Sequence, residues 1–216
     1  MTLVEKYALL PEEIDRRSIE AVEASLPQLD GLTAEERYVV CRIVRAEGDP
    51  EIAKAVGFSP GAVERGISAI KAKADVVTDV RMVEVGISKA LLAKCGLVTH
   101  CQIDTPNTAE RARSDGTTRS VAPIRDLAPR LNGAIAVVGN APTALLALLD
   151  IVKEGQALPA LVIGMPVGFI ACAESKSELP KAGVPYISIW DRRGGSSAAA
   201  ATVNALLGLA LQEVIL

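Results

Sequence analysis

The chain is 216 residues long, half of them hydrophobic and only 3% aromatic, so it can bury a sizeable core built from Ala, Val, Leu and Ile. A net charge of −3 excludes the basic excess of a general nucleic-acid binder. No apolar run reads as a bilayer span: the nearest, residues 196–216, is interrupted by Asn204, Gln212 and Glu213.

Residues 1–6 lack the cationic-then-apolar order of a signal peptide, which makes the cytoplasm the expected location. The front of the chain reads as helical. Residues 11–23 form a charged amphipathic pattern with Ile14, Ala21 and Val22 on one side. Thr33 followed by Glu36 matches a capping box, and the helix it opens runs to about Arg45 and stops near Gly48. Asp49-Pro50 and Ser59-Pro60 each pair an N-cap residue with proline at the first helical position. The second pair introduces Val63, Ile67 and Ile70 at helical spacing. Beyond them strands alternate with helices. Residues 75–78, 97–102, 135–138, 161–163 and 186–190 read as strands, and 81–93, 119–131, 143–152, 171–180 and 196–214 as helices. The alternation predicts an α/β fold, a largely parallel sheet flanked by helices, with a helical N-terminal portion. No repeat, low-complexity tract or long linker divides it, so residues 1–216 read as a single domain. The 143–152 helix is apolar almost all round and is expected to be buried on more than one side. The 196–214 helix is similar and has the composition to supply a dimer interface.

Two apolar runs in the last third each break into a Gly/Pro turn. Ile135-Ala136-Val137-Val138 leads into Gly139-Asn140-Ala141-Pro142-Thr143, and Ala160-Leu161-Val162-Ile163 into Gly164-Met165-Pro166-Val167-Gly168-Phe169. Two buried strands ending this way put two backbone-rich loops at one edge of the sheet, where open α/β sheets bind ligands. The first loop lacks the glycines of a dinucleotide fingerprint, and Pro142 removes an N–H, which counts against a nucleotide. A helix N-terminus with free N–H groups would suit a carboxylate or phosphate there, but a plain strand-to-helix turn accounts for the pattern at least as well. Gly194-Gly195 before Ser196 fits an anion-binding nest and a capped flexible turn equally well.

Arg42 and Arg45 lie three apart and share a helix face. Arg16 and Arg17 precede Ser18, Arg119 follows Gly116-Thr117-Thr118, and Glu174-Ser175-Lys176 opens a helix. By themselves these read as solvated charges. His100, the only histidine, reads as structural in preference to catalytic. The four cysteines include no CxxC pair. Cys95, His100 and Cys101 are near in sequence, but neighbours on a strand point to opposite faces, so buried thiols are expected here and no metal site.

Taken together, these residues resemble the precorrin-8X methylmutase family, isomerases of cobalamin biosynthesis with a cobalt-precorrin-8 counterpart. The resemblance covers nearly the whole chain. It is densest in Gly139-Asn140-Ala141-Pro142-Thr143-Ala144-Leu145, in Gly164-Met165-Pro166-Val167-Gly168-Phe169 with Ala173-Glu174-Ser175-Lys176 after it, and in Gly194-Gly195-Ser196. Arg17-Ser18, Phe58-Ser59-Pro60 and Thr118-Arg119-Ser120 belong to the same ordered set.

The resemblance implies a homodimer acting on a tetrapyrrole, a corrinoid precursor, without metal or other cofactor. A methyl group moves between adjacent carbons of ring C of precorrin-8, or its cobalt form, to give hydrogenobyrinic acid or the cobalt equivalent. The substrate's acetate and propionate carboxylates would meet arginines and N–H-rich loops. Carried over by motif, Ser18 and Arg42 are substrate contacts, with Arg17, Thr118, Arg119 and Ser120 as further candidates. The loops holding Gly139, Asn140 and Thr143 and holding Gly164 and Pro166, with the Gly194-Gly195 turn, would wall the pocket. In the family a histidine three residues beyond the substrate arginine exchanges a proton with the reacting system. Here that position is Arg45, the catalytic candidate, whose guanidinium cannot cycle a proton and would act by hydrogen bond or fixed charge. The alternative is a non-catalytic corrinoid-binding homologue. His100 falls at a position that does not carry the acid.

Overall fold

The structure, a computed structural model, describes residues 11–213. Residues 1–6, which lack a signal-peptide pattern in sequence, and Val214, the expected end of the last helix, lie outside these described residues.

The helical front forms as the capping signals predict. Helix α1 (Pro11–Ser25) packs on α2 (Ala34–Glu47). The Thr33 hydroxyl accepts from the Glu36 amide at 3.1 Å while the Glu36 carboxylate accepts from the Thr33 amide at 3.0 Å. Gly48 closes α2 in the left-handed region, φ 67°. Asp49 caps as expected, but the helix it opens is a 3-10 turn (Pro50–Ala55). A short strand that periodicity did not show follows, β1 (Val56–Phe58). Ser59 does not cap: its hydroxyl accepts from the Tyr186 amide at 2.8 Å and its own amide donates to the Tyr186 carbonyl, continuing the β-ladder. Helix α3 (Ala62–Lys71) therefore starts two residues past Pro60, from Gly61.

Strand β2 (Val76–Thr78) is followed not by one helix but by two, α4 (Arg81–Gly86) and α5 (Lys89–Cys95). The break is spliced by one side chain. Asn204 accepts from the Ser88 amide at 2.8 Å and donates to the Gly86 carbonyl at 3.0 Å. The expected 97–102 strand shrinks to β3 (Thr99–His100), and α6 (Thr108–Ser114) is an addition. Proline at 129 splits the next helix into α7 (Val121–Asp126) and α8 (Ala128–Leu131), because it has no N–H for the turn before it. Strand β4 (Ile135–Val138), helix α9 (Pro142–Lys153) and strand β5 (Leu161–Gly164) match the sequence reading closely. Helix α10 (Cys172–Ser177) is cut short and gives way to a 3-10 turn containing Pro180. Strand β6 (Tyr186–Ile189) and helix α11 (Ser196–Leu211) complete the order.

The sheet runs β1-β6-β5-β4-β2-β3, parallel except for β1 against β6. Strands β4 and β5 are buried at every position, as expected of central parallel strands covered on both faces. Their neighbouring residues feed opposite layers. Ile135, Val137, Leu161 and Ile163 face Val40, Ile43, Val83 and Leu206; Ala136, Val138 and Val162 face Ile124, Leu131, Leu145 and Leu148. Helix α9 is buried on most sides, and α11 has nearly all its circumference consumed by the first layer. What stays partly open on α11 includes Ser197, Ala201 and Asn204, spaced i, i+4, i+7 along one stripe. Among the described residues no helix is long and apolar enough to cross a membrane.

Candidate active site

Helix α2 buries Val39, Val40, Ile43 and Val44 and so turns Arg42 and Arg45 together out of the core. The stripe on α11 meets them. Arg42, Arg45, Ala46, Gly86, Ser197 and Asn204 surround a cavity of about 300 Å³. The Ser197 hydroxyl donates to the Ala46 carbonyl at 3.4 Å and ties the two helices at its rim. Among the described residues Arg42 has no acidic partner. Arg45 also lines a second, smaller hollow of about 210 Å³ between α1 and α2, beside Val22 and Ser25. Ser18 is half-buried on α1 and Arg17 is exposed and paired with Glu13; within one chain neither lines the Arg42 cavity. The Glu13–Arg17 pair is the solvated helix pair that its spacing suggests.

The carboxyl edge of the sheet holds the other candidates. The chain leaves β2 toward one side and β4 toward the other, so the crevice between the ends of these strands is the switch point. Asp79 fills it. Its carboxylate accepts from the amides of Gly139, Asn140 and Ala141 at 3.0, 2.9 and 3.0 Å. The N–H groups expected to be free for a ligand carboxylate or phosphate are thus taken by the chain's own acid. Burial pushes the Asp79 carboxyl above its ordinary range, against these three amides, which favour its charge. Gly139 is required by proximity: a Cβ there would lie 2.5 Å from Val83 and 2.9 Å from Ala199, so α11 could not sit this close. The Thr118 and Thr143 hydroxyls meet at 2.9 Å and join the loop before α7 to the first turn of α9. Arg119, in that loop, reaches the Ile103 carbonyl at 3.5 Å, and Ser120 leads into α7.

The second loop and the last turn are laced together. The Gly195 amide donates to the Met165 carbonyl at 2.8 Å, which takes one N–H from the expected nest. Gly194, at φ 134°, passes so near that a Cβ would lie 2.6 Å from the same oxygen. The Pro166 carbonyl accepts from the Cys172 thiol at 3.1 Å. Gly164 lies inside the sheet, its carbonyl accepting from Ser188 at 2.6 Å, and a Cβ there would press on Leu179. Lys176 is not the exposed charge its spacing from Glu174 suggested: it is fully buried, and burial lowers its pKa.

His100 lies away from this edge. Its Nε2 is 3.0 Å from Asp75, ahead of β2, and Arg130 reaches the other carboxylate oxygen at 3.2 Å. Partial burial pushes the Asp75 carboxyl up, but the hydrogen bonds from His100 and Arg130 outweigh it and hold the group below its ordinary range. Cys41, Cys101 and Cys172 are buried, as expected of small apolar thiols. Among the described residues no group of three or more His, Cys, Asp or Glu side chains is arranged for a metal ion.

Asp79, Ser197 and Asn204 were missed from the sequence. Asn204 had a signal, a lone amide in an Ala/Leu helix, and Asp79 had one in its place directly after a buried strand.

A family model described as precorrin-8X methylmutase (CbiC) matches residues 13–209. The chain belongs to this family. A cobalt-precorrin-8 methylmutase of Priestia megaterium is 40% identical over 93% of this chain and 88% of its own length. A precorrin-8X methylmutase of Pseudomonas aeruginosa is 38% identical over 90% of this chain and 94% of its own. The crystal structure of precorrin-8x methyl mutase from Thermus thermophilus superposes with a TM-score of 0.86 at 38% identity, covering 94% of this chain and 97% of that one. The methylmutase fold is therefore the mostly parallel, helix-flanked sheet described above. Its match spans every described strand and both arginine-bearing turns of α2.

Proposed function

We propose that the cavity between α2 and α11 receives side-chain carboxylates of the macrocycle, with Arg42 and Arg45 as their cationic partners. The enzyme is an isomerase of cobalamin biosynthesis, a methylmutase acting on precorrin-8X or cobalt-precorrin-8. The observation that carries the site reading is the Arg42/Arg45 pair on one cavity wall, opposite Ser197 and Asn204. Guanidinium groups suit carboxylates because two N–H groups can meet two oxygens at once. In the methyl shift the migrating carbon leaves one ring C carbon for its neighbour while electrons reorganise within the same molecule. No second reactant is delivered, so orientation and charge supply most of the catalysis. Arg45 stands at the family's histidine position as a fixed positive charge beside the electron-redistributing ring, not as a proton carrier.

The loops at Gly139, Asn140 and Thr143 and at Pro166, with Thr118, Arg119 and Ser120, would wall the macrocycle along the carboxyl edge. Gly164 supports this wall from within the sheet, and Gly194 and Gly195 shape the turn into α11. Ser18 and Arg17 would reach the ligand across an interface in a homodimer. Support for a second copy comes from Met82 and Val85, 59% and 70% exposed on α4 beside cavity-lining Gly86. Four free cysteines suit a reducing cytoplasm. Residues 1–216 would act as one domain. The test is turnover: purified protein is mixed with precorrin-8X, then with the cobalt form, and absorbance is followed to the product. Conversion of either form supports the reading. Bound substrate that is not converted above the background rate defeats it and leaves a corrinoid-binding homologue.

A further inference from the structure

Lys176 is the largest side chain among those fully buried, and the site described so far does not use it. Its ammonium donates to the carbonyls of Asp191 and Arg193, at 3.0 and 2.5 Å, and lies beside the Cys172 thiol, so it meets two backbone oxygens and a sulfur and, among the described residues, makes no salt bridge to a carboxylate. An apolar side chain of similar volume would fill the same space without removing a charge from water. Both acceptors lie in one strap, residues 191–195, which joins β6 to α11. That strap has positive φ at Asp191, Gly194 and Gly195, at 60°, 134° and 137°, and cannot hold its course by a regular ladder. Its far end is the cavity wall. The Arg193 side chain pairs with Asp49, just past the end of α2, and Ser197, two residues beyond the strap, faces Arg42 and Arg45. Cys172, one turn before Lys176 on α10, holds the Pro166 carbonyl. One face of a short helix therefore secures both the strap and the loop that it crosses.

We propose that Lys176 is a positioning residue: through the Asp191 and Arg193 carbonyls it fixes the strap that sets Ser197 against Arg42 and Arg45, and so determines affinity for the carboxylate-bearing substrate. This rests on the methylmutase reading of that cavity. Two variants test it. Lys176→Met keeps the stem and removes the donors; Gly194→Ala leaves Lys176 in place and wedges a Cβ against the Met165 carbonyl. Both are expected to raise KM about tenfold with kcat within about twofold. Amide hydrogen exchange at Gly168 and Gly195, which bond across the strap, is expected to quicken in both. A purely structural lysine would lower the active fraction and leave KM alone, and that result overturns the proposal. If Lys176→Met fails to fold, an unchanged KM in Gly194→Ala overturns it equally. Faster exchange with unchanged KM rejects the proposal while leaving the methylmutase reading intact; a wild-type protein that converts nothing rejects both.

Discussion

Under the proposed function Arg42 and Arg45 would do different work from one helix face. Arg42 has no acidic partner among the described residues and opens onto the cavity, where the proposed function gives it a binding role. A hydrogen bond to a charged group is worth about 1.5–3 kcal/mol, and Arg42→Ala should therefore raise KM roughly 10–100-fold in steady-state assays. Arg45, proposed to stand where the family carries a histidine, would act as a fixed charge and not as a proton carrier. The wild-type kcat should be flat from about pH 6 to pH 8, where a histidine would change charge. Arg45→His should introduce a bend near about pH 6.5, read from the kcat profile of the variant. The arginine pair and its shared face were legible in the sequence, because i, i+3 spacing on a capped helix fixes direction. Lys176 was not: two residues from Glu174 it looked like a surface charge. Its burial depends on a strap that arrives fifteen residues later.

Elements whose limits are set by local chemistry were readable, and those set by distant contacts were not. The Thr33–Glu36 capping box and Gly48 bound α2 as expected, and all-apolar β4 and β5 needed only burial on both faces. The break between α4 and α5 depends on Asn204, more than a hundred residues downstream, and β1 exists only because β6 pairs with it. The same limit hid the fate of the Gly139 loop. Local pattern showed N–H groups awaiting an anion; the fold supplies Asp79. Asp79→Ala would leave three amides at the switch point without their acceptor. At about 1–3 kcal/mol for each buried unsatisfied donor, the variant should lose at least about 3 kcal/mol in urea unfolding. A loss below about 1 kcal/mol would show that the loop relaxes to water instead.

At the scale of the whole molecule, the sheet delivers two loops and a strap to one edge, while α2 and α11 bring the arginines to a cavity on the first helical layer. The exposed Met82 and Val85 lie beside that cavity, and Phe169 and Ile170 stand exposed on the second loop with Arg192 over the Phe169 ring at 5.4 Å. A second copy covering Met82 and Val85 should give a sedimenting mass twice the 22.6 kDa of one chain. Met82→Glu with Val85→Glu should shift that mass toward one chain and raise KM, because the cavity mouth loses its cover. The family assignment accounts for fold and reaction; the role proposed for Arg45 is the part of the reading that the experiments below must decide.

The most direct test is single-turnover conversion of precorrin-8X or cobalt-precorrin-8, measured by absorbance across that pH range with saturating enzyme. Conversion above the background rate is expected, with no inflection between about pH 6 and pH 8. Full binding of substrate with no conversion, or a rate that titrates as a histidine would, contradicts it.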